Sequence, residues 1–245
     1  MKALILAAGL GTRLRPWTLY HPKALVPVEG VPAIERLIGK LRREGFIEIV
    51  VNVHHFGDQI IDFLNSRDFG VKIHISDERN LLLDTGGGIV HARQILCRDS
   101  APFLVHNADI VSTADLRGLA AAHTRSRADA TLLVSERHSG RRLYYDVDSR
   151  LRGWGDMRTG KTRPEGFVTE EYADAAFSGI HIVEPSLAAD MLEDYGEKPF
   201  PIMDYYLRHT SDRNIICHKA VFEHFDIGKP ESLAAAESFV RSFQG

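Results

Sequence analysis

Two glycines and a cluster of cations stand at the head of the chain. In Leu6-Ala7-Ala8-Gly9-Leu10-Gly11-Thr12-Arg13-Leu14-Arg15-Pro16, an apolar run passes straight into Gly9 and Gly11. Glycine permits left-handed backbone angles and lets main-chain N–H groups approach a ligand closely. Successive inward N–H groups form an anion nest. Arg13 and Arg15 add forked donors that match phosphate oxygens. Polyphosphate binding is the chemistry these residues predict, with Ala8, Gly9, Gly11, Thr12 and Arg13 as contacts. The plainer alternative is a tight turn after a strand. Neither familiar phosphate fingerprint is present. The sixth position of G-x-G-x-x-G is Leu14, and no G-x-x-x-x-G-K-[ST] occurs. Lys23 follows in His21-Pro22-Lys23-Ala24-Leu25-Val26-Pro27, confined by prolines on both sides. An ammonium held there could bridge the α-phosphate of a nucleotide; the plainer alternative is a solvated surface lysine.

Other candidates lie further along. Asp84-Thr85-Gly86-Gly87-Gly88 precedes a helix predicted to start near Ile89. Three glycines would let the backbone approach a flat nucleobase and read its edges; a flexible helix entry is the alternative. Asp109 falls just past a predicted strand, at the carboxyl end where open α/β sheets bind ligands. Gly179 lies inside a predicted strand, a placement that marks close approach of a ligand. His54 and His55 are adjacent, so on a strand they point to opposite faces and chelate poorly. They are expected in the core or at its rim. Tyr144, Tyr145, Trp154 and Tyr172 form either a lid or a small satellite core.

The elements that must position these groups follow from the apolar pattern. Ala3–Ala7 is a short continuous apolar run, as in a strand buried on both faces. Residues 33–44 carry Ile34, Leu37, Ile38 and Leu41 on one helix face. Strands are predicted at 48–53, 71–76, 102–106 and 130–135, and helices at 57–64, 89–96 and 116–122. That β-α-β alternation predicts an α/β fold with a mostly parallel central sheet flanked by helices. Residues 137–175 read as hairpins and exposed loops, with an extended piece at 143–147. Beyond them, strands are predicted at 177–183, 215–218 and 222–225, and helices at 201–207 and 231–243. No hexapeptide repeat marks an appended β-helix.

Composition excludes several classes. The 245 residues carry 30 Lys+Arg against 33 Asp+Glu, a net charge of -3, which argues against a general nucleic-acid binder. A 44% hydrophobic content is too high for disorder at so small a charge. Two cysteines, Cys97 and Cys217, cannot build a disulfide scaffold or a Cys-based zinc cluster. No apolar run approaches the ~20 residues that cross a bilayer. The apolar N-terminus is too short for a signal peptide and runs into Arg13 and Arg15. The expected setting is the cytoplasm, with no membrane partner.

Gly9-x-Gly11-Thr12-Arg13-x-Arg15-Pro16-x-Thr18 followed by Pro22-Lys23 resembles the signature of sugar-1-phosphate nucleotidyltransferases. Further landmarks fall in order: Asp84-Thr85-Gly86-Gly87-Gly88, Asn107-Ala108-Asp109, Phe177-Ser178-Gly179-Ile180 and Phe225-Asp226-Ile227-Gly228. The likeness covers essentially the whole chain. Its T-G-G-G-I and F-S-G-I strings look most like the short enzymes that make UDP-N-acetylmuramic acid in cell-wall recycling. Mannose-1-phosphate guanylyltransferases and phosphocholine cytidylyltransferases look similar too.

The resemblance implies a Rossmann-like nucleotide-diphospho-sugar transferase fold in a single domain, 1–245. Residues 1–135 would form the nucleotide-binding half and 136–245 the sugar-binding half. It implies transfer of a nucleoside monophosphate from an NTP, UTP or GTP, to a sugar 1-phosphate, by direct in-line attack with release of pyrophosphate. Arg13, Lys23 and Asp109 would be catalytic, and Asp84, Thr85, Gly86 and Gly87 would join the nucleotide contacts. Ser178 and Gly179 would touch the sugar, and Asp109 and Asp226 would hold Mg²⁺. Read without the family, Asp226 is one acid among 33, with a helix cap as its alternative. A monomer or small homo-oligomer is expected. A non-catalytic nucleotide or NDP-sugar sensor is the alternative from another class.

Three departures from the family pattern concern the substrate. Ala108-Asp109 replaces the usual G-D, and Gly228-Lys229 replaces the usual G-T. The E-K-P motif, whose lysine grips the sugar phosphate, is missing before the F-S-G strand. Glu197-Lys198-Pro199 comes after it and reads as a loop. Lys161 or Arg163 is the candidate substitute.

Overall fold

Leu4, Ala3 and Ile5 explain the centre of the molecule. All three are fully buried in β1 (Lys2–Leu6). Leu4 packs into one apolar cluster, Ala3 and Ile5 into another on the opposite face, as the two-residue period of a strand requires. The computed structural model describes residues 1–242. After β1 the chain forms β2 (Pro27–Val28), β3 (Val31–Pro32), α1 (Ala33–Arg43), β4 (Glu48–Val53), α2 (Gly57–Asn65) and β5 (Lys72–Asp77). Then come α3 (Asp84–Leu96), β6 (Phe103–Asn107), β7 (Ile110–Ser112), α4 (Leu116–Ser126) and β8 (Ala130–Ser135). The second half adds β9 (Arg141–Tyr145), β10 (Leu151–Asp156), β11 (Lys161–Arg163), β12 (Ala173–Val183), α5 (Pro185–Tyr195) and α6 (Ile202–Arg208). It closes with β13 (Ile215–Lys219), β14 (His224–Asp226) and α7 (Pro230–Ser242). The predicted last helix thus holds, although Phe243 lies outside the described residues.

One ten-stranded sheet carries both halves in the order β11-β10-β9-β12-β6-β1-β4-β5, with β8 on β12 and β13 on β8. The predicted α/β class with parallel strands is seen in β6-β1-β4-β5 and again in β8–β13. β12 runs against β6, β8 and β9, and so ties the regular half to the hairpins. α3, α5 and α6 cover one face, while α1, α2 and α4 cover the other. A third, smaller cluster joins Leu14, Val26, Val28 and Ala33 to Ile227 and Ala236. It fastens the glycine loop to the β14–α7 segment.

Two features at the carboxyl ends of the strands prepare a site. β12 slips register between Phe177 and His181, and Gly179 there has φ +74. Bulges of this kind re-aim backbone beside active sites. The small β7–β14 pair aligns Ile110 with Asp226 and Val111 with Phe225. Ile227 N–H donates to Asp109 O at 2.9 Å, so Asp109 and Asp226 are held side by side although 117 positions apart.

Candidate active site

The glycine loop leaves β1 and turns at Gly11, whose φ is +63. A Cβ there would lie 2.9 Å from Thr18 Cγ2 and 3.0 Å from Lys23 Cβ. Gly11 is therefore required twice, by its angle and by the close passage of Lys23. Its carbonyl accepts from Leu14 N–H at 3.0 Å and Thr18 Oγ1 at 2.8 Å. The resulting turn, Thr12–Leu14, exposes Thr12 and Arg13 and buries Leu14.

Lys23 is fixed at the opposite wall, at the start of a second short turn after Pro22. Its side chain is 12% exposed. Its Nζ pairs with Asp109 Oδ2 and lies 3.9 Å from Asp226 Oδ1. Arg13 Nη2 stands 3.5 Å from the other Asp226 oxygen. The structure thus brings together Arg13, Lys23, Asp109 and Asp226. Asp226 is not the helix cap: its Oδ1 accepts from Gly228 N–H at 2.9 Å, ahead of α7. Two carboxylates meet at one cation, beside a turn that carries a second. That arrangement can hold phosphates, or a divalent ion plus phosphates.

Two cavities open from this point. The first, about 300 Å³, is lined by Gly9, Gly11, Lys23, Asn52, Thr85 and Asp109, with Ala8 and Asp84 also on its wall. The second, about 890 Å³, is lined by Arg13, Arg137, Gly179, His224, Asp226 and Lys229 among others. Asn107 borders both. Gly179 must be glycine because a Cβ would sit 2.7 Å from Asn107 Nδ2.

Residues 2–242 match the family described as Nucleotidyl transferase. The chain belongs to that family. It is 32% identical to the N-acetylmuramate alpha-1-phosphate uridylyltransferase of Caulobacter vibrioides, over 96% of this chain and 95% of that protein. It is 33% identical to the mannose-1-phosphate guanyltransferase of Yarrowia lipolytica over 76% of this chain, but spans only 50% of that protein. Among solved structures, HddC from Yersinia pseudotuberculosis complexed with GMP-PN shares the fold, with a TM-score of 0.78. It is 23% identical and is covered to 99%, against 98% of this chain. The likeness places the chain in the nucleotide-diphospho-sugar transferase fold, as the sequence predicts.

Three expectations are corrected in this nucleotidyl transferase. Asp84-Thr85-Gly86-Gly87-Gly88 does not precede the helix; it is the first turn of α3. Its glycines serve packing rather than an open loop. A Cβ on Gly86 would strike the Phe200 ring, and one on Gly87 would meet Lys198 O at 2.7 Å. Asp84, with φ +60, and Thr85 remain on the first cavity's wall. Ser178 is 1% exposed and its Oγ donates to Leu133 O at 2.7 Å, while His224 Nε2 donates to Ser178 O at 2.9 Å. Its hydroxyl donates into the sheet, although Ser178 still borders the second cavity. Lys161 is exposed on β11, and Arg163 pairs with Asp204 at 2.8 Å. Neither lines the second cavity, so neither replaces the missing lysine.

Arg137 does line it. Its Nη2 donates to Phe177 O at 2.8 Å, its Nε is buried without a partner, and no carboxylate pairs with it among the described residues. Burial lowers its basicity, Asp226 opposes that, and Arg142 adds to it. Tyr144 and Tyr145 are buried, Tyr145 within the main apolar cluster with Trp154 packed against it, and Phe167 stacks on the half-buried Tyr172 at 4.8 Å. Trp154 alone of the four borders the cavity. His54 and His55 fall just beyond β4, where His54 Nδ1 donates to Glu78 O at 2.7 Å. Cys217 is buried, and burial raises its thiol well above the ordinary range.

A buried polar chain supports the glycine loop, and sequence reasoning missed it. Asn52 Oδ1 accepts from Ala7 N–H at 2.6 Å and Ala8 N–H at 3.2 Å. The Ala8 amide is thus taken by Asn52 and is not free for a phosphate. Asn52 Nδ2 donates to Glu78 Oε1 at 2.9 Å, and Leu83 N–H approaches Glu78 Oε2 at 3.4 Å. Gly88 leaves the room, because a Cβ would lie 2.9 Å from Asn52 Nδ2. The available signal was an Asn on the strand next to β1 and an acid just past the end of β5, both too common to stand out.

Burial raises the Glu78 carboxyl above its ordinary 4.5, against the lowering effect of its two donors. The folded state therefore binds the proton more tightly than the unfolded state. Stability that is present below about 4.5 is lost as pH rises through the folded-state value. Denaturation of the wild type and Glu78→Gln from pH 4 to 8 tests this. The wild type is expected to lose stability relative to the variant as pH rises. A constant difference across that range would show that Glu78 does not titrate as its burial requires.

Proposed function

We propose that this chain transfers a nucleoside monophosphate from an NTP to a sugar 1-phosphate, with UTP and N-acetylmuramate 1-phosphate as its pair. The observation that carries the transfer is the Lys23 ammonium between Asp109 and Asp226, facing the glycine loop. The pair is supported by the likeness to the Caulobacter protein along nearly the full length of both chains.

In this reading the acceptor phosphate oxygen attacks the α-phosphorus. The bond from that phosphorus to the β-bridging oxygen breaks, and pyrophosphate leaves. Two anions must approach, so positioning and charge neutralisation carry the catalysis. Lys23 neutralises the pair where they meet. Arg13 and the Gly9–Thr12 amides hold the β- and γ-phosphates as they depart. Thr85, with Asp84, Gly86 and Gly87 behind it, bounds the base, and Gly179 borders the cavity that takes the sugar.

The donor set fits Mg²⁺. Asp109 and Asp226 converge on one point, and an ammonium already resides there as a stand-in cation. Mg²⁺ takes one or two carboxylates plus phosphate oxygens and waters. When bound it would neutralise phosphate charge. In this reading the reaction belongs to the recycling of cell-wall sugar in the cytoplasm; no helix among the described residues is long and apolar enough to cross a membrane.

Pyrophosphate release from a matrix of five NTPs and four sugar 1-phosphates, with phosphocholine added, tests the reading. Turnover is expected to peak with UTP and N-acetylmuramate 1-phosphate. GTP with mannose 1-phosphate is the second reading, favoured by the Yarrowia likeness; CTP with phosphocholine is the third. Nucleotide binding with no release from any pair would instead make this chain a sensor.

A further inference from the structure

Asn107 ends β6, the strand between the two halves of the sheet. On one side β1 pairs with it, Leu6 opposite Asn107, and runs on into the glycine loop. On the other side β12 runs antiparallel, with Ile180 opposite His106, so the bulge at Gly179 comes level with Asn107. The parallel strands part here: β4 and β5 follow outward from one edge of β1, and β6 takes the other. Open α/β sheets bind ligands at such a switch point, outside the carboxyl ends of the strands. Among the described residues only Asn107 lines both cavities.

Its main chain is spent on the protein. His106 Nδ1 donates to Asn107 O at 2.8 Å, and the next amide, Ala108 N–H, donates to Leu6 O at 3.0 Å. Its side-chain amide makes no hydrogen bond among the described residues, although the residue is half-buried. An amide so placed is left to a ligand or to water. The amide nitrogen lies on the second cavity's side, because a Cβ on Gly179 would come 2.7 Å from Nδ2 and 3.1 Å from Cγ. Gly179, at φ +74, thus clears the room that the amide fills. Asp109 stands two residues further on, paired with Lys23. A primary amide nitrogen only donates, and a phosphate oxygen only accepts.

Resting on the transferase reading above, we infer that Asn107 is a further catalytic residue, whose Nδ2 donates to the acceptor's phosphate where the two cavities join. The sheet behind it and Gly179 beside it fix this donor before the reactants arrive. Lys23 supplies charge at that place. Asn107 supplies direction, holding the incoming phosphate towards the α-phosphorus.

Pyrophosphate release is followed with the NTP and acceptor pair that turns over fastest, whichever pair that is. Asn107→Ala is expected to lower kcat/KM for the acceptor by on the order of 10², the usual loss of one preorganised donor. Binding of the NTP alone should stay within about threefold, since the glycine loop is untouched. Asn107→Asp keeps the shape but turns the donor into an anion. Like charges repel, so its kcat/KM should fall at least about tenfold below that of Asn107→Ala. A purely structural role predicts the opposite order, because Asp fills the space that Ala leaves empty. Melting curves check that the variants fold, and Asn107→Asp reads the donor even where Ala loosens the strand end. A kcat/KM for Asn107→Ala within threefold of the wild type, or Asn107→Asp more active than Asn107→Ala, overturns the inference and leaves the transferase reading standing. No release by the wild type from any pair removes that reading, and the inference with it.

Discussion

Lys23→Ala is expected to lower kcat by on the order of 10²–10³, the usual loss when one preorganised charge at a reacting centre is removed. The reason is geometric. Pro22 and the short turn Lys23–Leu25 fix the backbone, and Gly11 lets the stem pass within contact distance of the loop. Asp109 and Asp226 then hold the ammonium between them. A charge fixed in advance needs no reorganisation when the two anions approach. The side chain is only 12% exposed, so water replaces it poorly. Its carboxylate partners are 22% and 34% exposed and can hydrate when it is gone. The fold should therefore persist, with an unchanged melting curve. A kcat within threefold of the wild type, on a folded variant, would remove Lys23 from the reacting centre.

The second large effect belongs to the aspartates. Asp109→Asn and Asp226→Asn should each lower Mg²⁺-supported turnover by about 10², since a metal clamp on phosphate charge supplies several kcal/mol. Each should also raise the Mg²⁺ concentration needed for half-maximal nucleotide binding, a readout independent of turnover. Asn keeps the shape and an acceptor oxygen but removes the charge. Full Mg²⁺-dependent activity in both variants would refute the metal assignment. The variants also separate two uses of the pair. If Asp109 only anchors Lys23, kcat falls while the Mg²⁺ requirement does not move.

Much of the site is legible in the sequence. Gly9, Gly11, Thr12, Arg13 and Lys23 lie within fifteen consecutive residues, so their grouping is a local matter. Gly179 was readable as a point of close approach, but what stands over it is the Asn107 side chain, where the sequence suggested a ligand. The glycines at 86–88 were legible as a close approach but not as to what approaches them. Helix α3 uses them to receive Phe200 and Lys198, which come more than a hundred positions later. The Asn52–Glu78 chain was invisible, because buried polar residues signal themselves only through their partners. Arg137 was invisible for the same reason: its cavity is built by β9, β12 and β14 together.

The sequence by itself determined what depends on neighbours along the chain. Short continuous apolar or β-branched runs mark β1, β4 and β8, and a 3.6-residue period marks α1, because burial on one face or two needs no knowledge of the partner. The turn chemistry of the glycine loop is equally local. Spacing and composition single out none of the other 32 acids as Asp109's neighbour; the resemblance points to Asp226, and the tertiary structure brings the two together. Asp226 qualifies through the β7–β14 pairing and the Ile227–Asp109 hydrogen bond, contacts closed over 117 positions. The tertiary structure also decided that Arg137, not Lys161 or Arg163, lines the second cavity, because β12 reverses direction beside β6 and carries Phe177 against Arg137. Local pattern sets each element, while strand order sets which side chains meet. Chemistry needs the meeting.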